Sequence, residues 1–448
     1  MDLQNKTLLI VGLGTTGLAV CDFARRRGAH LIGLDDAPKK MLGPRVEILQ
    51  ENGTPVFSTN EAGMLEWRRI DLVVLSPGVP LSHKVVLEAR RRGIPVTGEL
   101  ELASQFSQSP VIAITGTNGK STTTELTGEI FREMGLKVSV GGNLGTPWVT
   151  LIDQDPDPAW TILEVSSFQL ETIESFHPKF SALLNITEDH YERHGDMDGY
   201  LAAKARITLN QTDEDAVIYN ANDVHVLRAL EGAKARKIPF SSTEHVRGIY
   251  WAREDSLESV LSGTPRTYYL NKVSLKGLHN IENMMAAIAL AELAGLSPPS
   301  IQTALEDFKA LPHRLQLVRD FNGVRYFDDS KGTNVGAVAM SLASFEEPVI
   351  LILGGKDKGG DYSVLRSLIR HKAKSLIVMG EAQEKIRAAL EGSAPLFEVG
   401  SMKAAVELAH AQAVAGDVVL LSPACSSFDM FRDYKHRGDE FQKWVKGL

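Results

Sequence analysis

The chain of 448 residues contains only two cysteines, Cys21 and Cys425. They lie far apart and belong to no Cys-x-x-Cys pair, so the sequence predicts neither a disulfide framework nor a cysteine-bound metal, and a reducing compartment fits. It also lacks any apolar run of the ~18 residues needed to cross a bilayer. The first apolar run has no cationic leader and leads straight into a glycine turn, which predicts a strand rather than a signal peptide. We expect a cytoplasmic protein.

No long block of basic residues is present, and the formal net charge is −8. Both features argue against a nucleic-acid-binding protein. Glycine loops and helix ends can still bind anionic ligands in an acidic protein, because their electric fields are short-ranged. The composition, with 43% hydrophobic and 23% charged residues, is typical of a folded globular protein with a substantial core. At about 150 residues per domain, the length predicts about three domains.

Short runs rich in β-branched residues alternate with helical segments along the whole chain. Nearly continuous apolar runs of this kind are typical of parallel strands covered by helices on both faces. The sequence therefore predicts an α/β protein made of several doubly wound units. The clearest predicted strands are residues 7–12, 71–76, 111–116, 161–166, 181–186, 348–355, 375–380 and 417–423.

Two breaks in this alternation predict domain boundaries. After residue 98 the chain leads to a fresh strand at Val111, and a helical stretch over 280–310 stops at Pro312, where a strand-rich unit begins. The predicted domains are therefore residues 1–98, 99–310 and 311–448.

The first glycine-rich loop, GLGTTG, contains Gly12, Gly14 and Gly17 between a predicted strand and a predicted helix, and Asp35 lies at the end of the next strand. This is the pattern of a dinucleotide-binding fold, in which the carboxylate binds a ribose. The pattern alone leaves several ligands open: NAD, FAD, another nucleotide, or no ligand beyond a diphosphate at a helix N-terminus.

The second loop lies in IAITGTNGKSTTTE (112–125) and lacks one glycine of the usual phosphate-binding pattern. That pattern has a glycine six residues before its lysine, and here the position holds Ile114. The turn is therefore predicted to be shorter than in common phosphate-loop enzymes. A strand, a GxxGKST sequence and a helix rarely follow one another by chance, so we interpret the segment as an ATP site.

The residue types of this second loop suit a triphosphate. Gly116 and Gly119 allow backbone N–H groups to face phosphate oxygens, and the following helix adds its positive end. Lys120 supplies a cation for the β- and γ-phosphates, and Ser121 or Thr122 can bind Mg²⁺. An oxidoreductase has little use for such a site, whereas a nucleotide-linked substrate at the first loop and ATP at the second would use both. The two loops together indicate activation of a chemical group by ATP.

Three further polar residues are candidates for the site. Glu164 ends the predicted strand 161–166, and His190 follows the strand 181–186. Ligands of open α/β sheets bind at the carboxyl ends of parallel strands, so both residues could bind a divalent ion; ordinary surface groups are the alternative. Lys204, in YLAAKARI, would on its own be interpreted as a solvated helix lysine.

Nine segments of the sequence together resemble one enzyme family. They are TGTNGKSTTT, GGNLGTP, EVSSFQL, NITEDH, AAKARI, GLHNIENMMAA, HRLQLV, DDSKGTN and SPACSSFDMF, in this order. The series resembles the ATP-dependent Mur ligases of peptidoglycan synthesis over essentially the whole chain. DDSKGTN and SPACSS are more similar to the D-glutamate-adding members than to sister ligases or folylpolyglutamate synthase. The DNPR-type sequence of the diaminopimelate- or lysine-adding members is absent.

This resemblance implies three doubly wound domains: a Rossmann-like domain for the UDP moiety, a central ATPase domain of phosphate-loop type, and a C-terminal dinucleotide-fold-like domain for the amino acid. It implies an ATP-dependent carbon–nitrogen ligase that adds D-glutamate to UDP-N-acetylmuramoyl-L-alanine through an acyl phosphate, in cytoplasmic cell-wall precursor synthesis and hence in cell shape and division. The implied cofactors are two Mg²⁺ ions. We expect a monomer without a nucleic-acid partner or membrane insertion.

Other interpretations remain open. A different Mur-type or folylpolyglutamate-type amide ligase would share most of the motifs and differ in its amino acid. An NAD-dependent oxidoreductase would use the first loop but leave the second without a role. A non-catalytic nucleotide-binding regulator would not need Lys120, Glu164, His190 and Lys204.

The resemblance also assigns roles to individual residues. Catalytic roles fall to Lys120, Glu164, His190 and Lys204, and metal ligation to Ser121, Glu164, His190 and Lys204. ATP binding falls to Gly116, Thr117, Asn118, Gly119, Lys120, Ser121, Thr122, Asn280, Asn283, Arg314 and Asp329. The UDP-muramoyl substrate is assigned to Gly14, Thr15, Thr16, Gly17 and Asn143, and D-glutamate to Lys331, Thr333, Ser427 and Tyr434.

Lys204 matches a position that is carbamylated by CO₂ in this family. An unmodified lysine, with a pKa of about 10.4, would place a cation beside metal ions, whereas the carbamate is an anion that can bind the second Mg²⁺. The chain departs from the family at two places. Asp36-Ala37 stands where Thr-Arg is common and where uracil contacts are expected, and Tyr434 stands where a Phe is usual.

Overall fold

A computed structural model describes residues 1–37, 42–143, 145–253, 255–275, 277–309 and 311–448. Within these residues the strands form three sheets that follow one another along the chain. All eight of the clearest predicted strands are present, and each pairs with a parallel neighbour. The predicted α/β fold with doubly wound units is confirmed.

The first sheet has five parallel strands in the order β3-β2-β1-β4-β5. The strand order reverses beside β1, and ligands of such sheets bind at this switch point. The first glycine loop follows β1 there. The strands are β1 Thr7–Val11, β2 His30–Asp35, β3 Val56–Ser58, β4 Leu72–Leu75 and β5 Val96–Gly98; described helices are Thr15–Arg26, Pro44–Glu51 and Lys84–Arg91, with 3₁₀ turns Thr59–Met64 and Trp67–Arg69.

The second sheet has nine strands in the order β14-β13-β12-β11-β10-β9-β6-β8-β7. Its strands are β6 Val111–Thr115, β7 Val138–Gly142, β8 Trp160–Glu164, β9 Phe180–Leu183, β10 Ala216–Asn220, β11 Arg236–Ser241, β12 Ile249–Arg253, β13 Ser256–Ser259 and β14 Arg266–Tyr269. The strands from β7 to β12 are parallel, whereas β12, β13 and β14 form an antiparallel meander. The phosphate-loop strand β6 lies inside the parallel part, with strands on both sides.

Helices pack around this second sheet. They are Glu99–Ser104, Lys120–Glu133, Trp148–Gln154, Ser167–Leu170, Tyr191–His194, Met197–Ala205, Val224–Ala229, Leu278–Leu293 and Pro298–Asp307, with a 3₁₀ turn Arg206–Thr208. The predicted single helical stretch over 280–310 is therefore two helices. Gly295 adopts a positive φ of 82° after the first helix, and Ser297 caps the second, in which Pro298 occupies the first turn.

The third sheet has six strands in the order β15-β16-β20-β17-β18-β19, of which only the β15–β16 pair is antiparallel. The strands are β15 Gln316–Phe321, β16 Val324–Asp328, β17 Val349–Gly354, β18 Ala373–Met379, β19 Leu396–Glu398 and β20 Val418–Leu421; the helices are Val335–Ala343, Arg366–Lys372, Gln383–Leu390, Met402–Gln412 and Tyr434–Lys446, with a 3₁₀ turn Tyr362–Leu365.

The first two sheets share a hydrophobic cluster, whereas the third sheet does not take part in it. One continuous cluster joins the first two sheets, and in it Phe23 of the first unit packs with Trp148 and Leu163 of the second. The third sheet is covered by two clusters formed only by its own strands and helices. The first two units are therefore packed together through apolar contacts, whereas the third has hydrophobic cores of its own. Among the described helices, none is long and apolar enough to span a bilayer.

Candidate active site

The phosphate loop connects β6 to the helix Lys120–Glu133. The strand extends to Thr115, so the loop is shorter than the usual pattern, as predicted. Gly119 has a φ of 84°, a conformation that residues with a side chain rarely adopt. A Cβ atom on Gly119 would also lie 2.2 Å from Oδ1 of Asn283. Glycine is therefore required for the turn, and a Cβ atom there would also displace the Asn283 side chain of the helix Leu278–Leu293.

Asn185, in the loop after β9, supports the phosphate loop. Its Oδ1 accepts a hydrogen bond from the Asn118 N–H at 2.8 Å, and its Nδ2 donates to the Asn118 carbonyl oxygen at 3.1 Å. Its own carbonyl oxygen accepts from the Thr117 N–H at 2.9 Å. The sequence did not single out Asn185, although it belongs to the NITEDH segment that carries His190.

Lys120 lies beside the loop that it follows. Its Nζ donates to the carbonyl oxygens of Gly116 and Thr117, both at 2.9 Å. Burial lowers the pKa of this ammonium, and the carboxylates of Glu164 and Asp189 oppose the shift. The carbonyl contacts hold a cation at the helix N-terminus, where phosphate groups bind in such loops.

Glu164 is the last residue of β8 and is 2% exposed. Its Oε2 accepts a hydrogen bond from Ser121 Oγ at 2.5 Å, and its Oε1 accepts from Asn143 Nδ2 at 2.8 Å. Burial acts to raise the pKa of this carboxyl, but Lys120, Lys331 and the two hydrogen bonds outweigh it and hold the pKa below its usual range. A charged carboxylate beside a hydroxyl offers the oxygen ligands that Mg²⁺ prefers.

Lys204 is 1% exposed, so its interpretation as a solvated helix lysine is wrong. Its Nζ donates to the Gly116 carbonyl oxygen at 2.8 Å and lies 4.6 Å from the centre of the Tyr200 ring. Burial lowers the pKa of this amine well below its ordinary value, and the neighbouring Lys120 adds to the shift. The buried Lys204 and the half-buried Lys120 therefore contact the same carbonyl oxygen of the phosphate loop.

His190 immediately precedes the helical turn Tyr191–His194 and has a φ of 56°. Its ring packs edge-on against Phe168, with the ring centres 4.8 Å apart, and lies 6.4 Å from that of Tyr200. Burial lowers the pKa of the imidazole, which favours the neutral form that binds metal ions. His190 and Lys204 thus both lie close to the ring of Tyr200.

Asp189, the neighbour of His190, receives its contacts from the third unit. Lys358 Nζ donates to its Oδ1 at 3.3 Å, and Asn334 Nδ2 donates to its Oδ2 at 3.2 Å. Burial acts to raise the pKa of Asp189, but the cations of Lys358 and Lys120 outweigh it and hold the pKa below the usual range. The sequence predicted neither Asp189 nor Lys358. A signal for Lys358 was available, since it follows β17 in GGKDKGG at the carboxyl end of a central strand.

The predicted metal ligands differ in chemistry. Among the described residues, no three His, Cys, Asp or Glu side chains converge on one point. The structure brings Ser121 into direct contact with Glu164, and it brings Lys204 to the same loop through Gly116. Oxygen ligands from Ser121 and Glu164 fit Mg²⁺, whereas the amine of Lys204 fits only after conversion to an anion.

A cleft with about 720 Å³ of empty space separates the second unit from the third. Arg314 crosses it, because its Nη2 donates to Ser121 Oγ at 2.7 Å. Asp329 lies on the far wall, where Ser341 and Ser422 donate to its Oδ2 at 2.6 and 2.7 Å; burial raises its pKa to about 6. The lining contains eight residues predicted for ATP or amino acid: Asn118, Gly119, Thr122, Asn280, Asn283, Arg314, Asp329 and Lys331.

The predicted amino-acid pocket is built around Lys331. Its Nζ lies 4.0 Å from the centre of the Tyr434 ring, and burial, with Arg314 nearby, lowers its pKa to about 7. The Thr333 N–H donates to the Lys331 carbonyl oxygen at 2.8 Å. Ser427 is 2% exposed in the segment after β20. The ring of Tyr434 thus contacts the Lys331 amine, a contact that the phenylalanine usual at this position could also make.

Arg437 is fully buried and braces this pocket, a role that the sequence did not predict. Its guanidinium donates to Ser330 Oγ at 3.0 Å, to the Ser330 carbonyl oxygen at 2.8 Å and to the Cys425 carbonyl oxygen at 3.1 Å. These bonds connect the DDSKGTN and SPACSS segments. An arginine within a polar helical sequence gives no signal of such a contact.

The first glycine loop has the predicted geometry. Gly14 caps the helix Thr15–Arg26, and a Cβ on Gly17 would lie 1.9 Å from the Gly12 carbonyl oxygen. Asp35 accepts hydrogen bonds from the N–H groups of Leu13 at 2.6 Å and Ala37 at 2.8 Å. Both carboxylate oxygens of Asp35 therefore bind backbone N–H groups of the protein. The structure gives no support to the binding of a ribose by this carboxylate, which the dinucleotide-binding pattern would require.

Asp36, at one of the two departures from the family pattern, is bound by side chains. Thr59 Oγ1 donates to its Oδ1, and His83 Nε2 lies 3.0 Å from the same oxygen. The hydrogen bond from Thr59 and the contact with His83 lower the pKa of Asp36. Where the family commonly has a threonine, this chain thus has a charged carboxylate held by His83.

Comparison with known proteins assigns successive parts of the chain to domains of one family. Family models match residues 6–98 (Mur ligase MurD-like, N-terminal domain), 114–291 (Mur ligase middle domain) and 313–425 (Mur ligase, glutamate ligase domain). The UDP-N-acetylmuramoylalanine–D-glutamate ligase of Acidobacterium capsulatum is 44% identical over 99% of the chain and 97% of that protein. The enzyme of the same name from Koribacter versatilis is 42% identical over 100% and 99%.

Solved structures agree at the level of the fold. MurF ligase from Thermotoga maritima, in complex with ADP, aligns with a TM-score of 0.62 at 15% identity, covering 100% of this chain and 96% of that one. The UDP-N-acetylmuramate–alanine ligase MurC of the same organism aligns with a TM-score of 0.61 at 17% identity and covers 99% of both chains.

Proposed function

Because the chain belongs to the Mur ligase family, we propose that it joins D-glutamate to UDP-N-acetylmuramoyl-L-alanine in an ATP-dependent reaction of cytoplasmic peptidoglycan precursor synthesis. One contact carries the proposal. Arg314 of the third unit donates to Ser121 of the phosphate loop at 2.7 Å, so the ATP site and the amino-acid site open into one cleft. The full-length relatives named for this reaction support the choice of substrates. The proposed domains are residues 1–98, 99–310 and 311–448. We also propose that the protein is a monomer.

The reaction needs an activated carboxylate, because a free carboxylate is a poor electrophile. The L-alanine carboxylate attacks the γ-phosphorus of ATP, ADP leaves, and an acyl phosphate forms. The amine of D-glutamate then attacks the carbonyl carbon, and the tetrahedral intermediate loses phosphate and the amine proton to give the amide. Much of the task is the neutralisation of crowded negative charge. Lys120, Arg314 and the N-terminus of the helix Lys120–Glu133 supply positive charge for it.

Mg²⁺, when bound, would reduce the repulsion between the carboxylate and the γ-phosphate. Ser121 and Glu164 would hold one ion, since the hydroxyl and a charged carboxylate oxygen are 2.5 Å apart. His190 and a carbamylated Lys204 would hold a second. Asn143 keeps the Glu164 carboxylate oriented through its hydrogen bond at 2.8 Å.

The surroundings of Lys204 support the proposed carbamylation. A neutral amine can attack CO₂; a nitrogen–carbon bond forms, one proton is released, and the product is an anion. The Lys204 amine is buried beside Lys120 at the Gly116 carbonyl oxygen, so an ammonium there would be both desolvated and close to a like charge. The carbamate removes this conflict, because it pairs with Lys120 and can bind a metal ion.

The substrates would occupy three regions. Gly14, Thr15, Thr16 and Gly17 would bind the UDP moiety, and Asn143 the muramoyl part. Asn280, Asn283, Arg314 and Asp329 would bind the nucleoside and phosphates of ATP together with the phosphate loop. Lys331, Thr333, Ser427 and Tyr434 would bind D-glutamate, whose second carboxylate suits a site rich in cations and hydroxyls. Lys358, which acts electrostatically on Lys331, adds another cation.

The test is release of phosphate from ATP in the presence of UDP-N-acetylmuramoyl-L-alanine and a series of amino acids. We expect D-glutamate to be the best acceptor, with L-glutamate, D-alanine and meso-diaminopimelate at least about 100-fold poorer, a difference of about 2.7 kcal/mol. Lys331→Ala should raise the KM for D-glutamate or abolish turnover while binding of the UDP substrate persists. The matched control is Lys403→Ala, an exposed lysine of the same domain, which should behave as wild type.

Other outcomes would replace the proposal. Diaminopimelate or L-alanine as the better acceptor would indicate a sister ligase. Turnover with a folate substrate would indicate a folylpolyglutamate-type enzyme, and NAD binding without phosphate release would indicate an oxidoreductase.

A further inference from the structure

Arg193 connects the second domain to the first at the edge of the active site. It lies in the turn Tyr191–His194, and its N–H donates to the His190 carbonyl oxygen at 3.0 Å. Its guanidinium reaches into the first domain, where Nη2 donates to the Val79 carbonyl oxygen at 2.9 Å and Nη1 lies 3.5 Å from that of Gly78. One residue is thus bonded to His190 through its backbone and to the first domain through its side chain.

The guanidinium is held in a fixed orientation by the second domain. Its Nε and Nη2 donate to the two carboxylate oxygens of Glu171 at 3.0 and 2.6 Å, and the two side chains are only 12% and 13% exposed. The Phe168 ring centre lies 5.1 Å from Cζ, and the same ring packs against His190. A two-pronged pair of this kind fixes direction as well as distance, which a lysine ammonium cannot reproduce.

On the other side, Val79 packs against the first glycine loop. Its N–H donates to the Ser76 carbonyl oxygen at 3.0 Å, and Ser76 Oγ donates to the Gly12 carbonyl oxygen at 2.7 Å. A Cβ on Gly12 would lie 2.9 Å from Val79 Cγ2, so the turn and the loop are in close contact. Contacts therefore run from Gly12 through Val79 and Arg193 to His190.

We propose that Arg193 is a positioning residue for the ligation. It sets the distance and orientation between the loop that binds the UDP diphosphate and the site of phosphoryl transfer, and so places the substrate carboxylate at the γ-phosphate. This inference rests on the proposed function, because only a substrate bound in one domain and reacting in the other needs such a link. A displacement of about 1 Å can slow a reaction about 100-fold, so turnover depends on this contact more than substrate binding does.

The test compares Arg193→Lys with Arg27→Lys. Arg27 also joins the first two domains, through an ion pair with Asp153 at 2.8 Å, but its described contacts include neither glycine loop. Arg193→Lys should lower kcat about 10- to 100-fold while the KM for D-glutamate and the Kd of the UDP substrate stay within about threefold. It should also raise the ratio of phosphate released to amide formed, because a misplaced acyl phosphate reacts with water. Arg27→Lys should match wild type in all four quantities.

Two further variants separate positioning from folding. Glu171→Gln keeps the size of the side chain but weakens the pair, and it should show the same pattern with a smaller loss of kcat. Ethylguanidine should partly restore kcat to Arg193→Ala by filling the vacated site. Wild-type kcat and coupling in Arg193→Lys, or losses no larger than those of Arg27→Lys, would overturn the inference. If Arg193→Lys does not fold, normal kcat and coupling in Glu171→Gln would overturn it. Failure of the wild-type chain to ligate D-glutamate would instead contradict the proposed function.

Discussion

Lys204 is an unusual side chain, because its amine is buried beside a second, half-buried lysine. Both Lys204 and Lys120 donate to the Gly116 carbonyl oxygen, at 2.8 and 2.9 Å. Two ammonium groups in this position would repel each other, and that of Lys204 is also desolvated. Removal of one positive charge, or its conversion to a negative one, resolves the repulsion, and the carbamate proposed above does so while it creates a metal ligand.

Lys204→Ala should therefore be nearly inactive, and short carboxylic acids such as acetate should partly restore activity by supplying the missing anion. We expect a loss of at least about 100-fold in kcat, as for other groups that act on the transition-state charge. In the wild type, isotope-labelled bicarbonate should produce a carbamate carbonyl signal in the NMR spectrum, and this signal should be missing from Lys204→Ala. The control is Lys137→Ala, an exposed lysine of the same domain, which should keep both activity and signal. Absence of rescue and of the signal would leave Lys204 as an unmodified buried lysine.

The predictability of single residues depended on where their partners lie in the sequence. Lys120 and Ser121 were predicted because a phosphate loop is a local pattern of glycines, a lysine and hydroxyls before a helix. Lys358 and Arg437 were not, because Lys358 contacts a residue 169 positions away and Arg437 one 107 positions away. Such roles exist only after the chain has folded.

At the level of elements, the sequence predicted buried parallel strands better than exposed ones. The predicted strand corresponding to β17 is buried at every position, and β20 likewise. By contrast, β15 has no fully buried residue and β19 none either. A strand at the edge of a sheet, or covered on one face only, lacks a continuous apolar run, so hydrophobicity alone does not reveal it.

Glu99 shows how two elements are joined by a buried acid. It begins the helix Glu99–Ser104, is 2% exposed, and accepts a hydrogen bond from the Val149 N–H at 2.9 Å in the first turn of the helix Trp148–Gln154. Burial raises its pKa from 4.5 to about 7. The folded protein therefore binds this proton more tightly than the unfolded chain does. The resulting stability is fully present below pH ~4.5 and is lost as the pH rises through about 7.

Glu99→Gln should remove this pH dependence, because the amide stays neutral. Between pH 5 and pH 8, the free energy of unfolding of the wild type should fall relative to the variant by up to about 3 kcal/mol. Urea unfolding followed by tryptophan fluorescence at several pH values measures this difference. Glu133→Gln, at an exposed position of the helix Lys120–Glu133, is the control and should follow the wild type. Parallel pH profiles for wild type and Glu99→Gln would show that Glu99 is ionised in the folded protein.

At the level of the whole molecule, the two junctions between domains differ in kind. A continuous apolar cluster joins the first two sheets. The cleft between the second and third is crossed by hydrogen bonds and an ion pair, in which Arg314 contacts Ser121, Asn334 contacts Asn118 and Asp189, and Lys358 contacts Asp189. Polar contacts of this kind are typical of domains that move relative to each other. The third domain is therefore the one expected to open and close.

Closure should accompany binding, because it would bring the proposed amino-acid site over the phosphate loop and protect the proposed acyl phosphate from water. In small-angle scattering, the radius of gyration should decrease when an ATP analogue and UDP-N-acetylmuramoyl-L-alanine are both added, towards the ~22 Å of a fully compact chain of this length.

The variant Asn334→Asp should reduce this decrease in the radius of gyration. The carboxylate still caps the helix Val335–Ala343, as Asn334 Oδ1 does through the Ala337 N–H at 2.8 Å, but it cannot donate to Asn118 or Asp189 and it repels Asp189. Asn271→Asp introduces the same charge at an exposed position and should leave closure intact. A wild-type scattering curve that saturating ligands do not alter would show that the third domain does not move during binding.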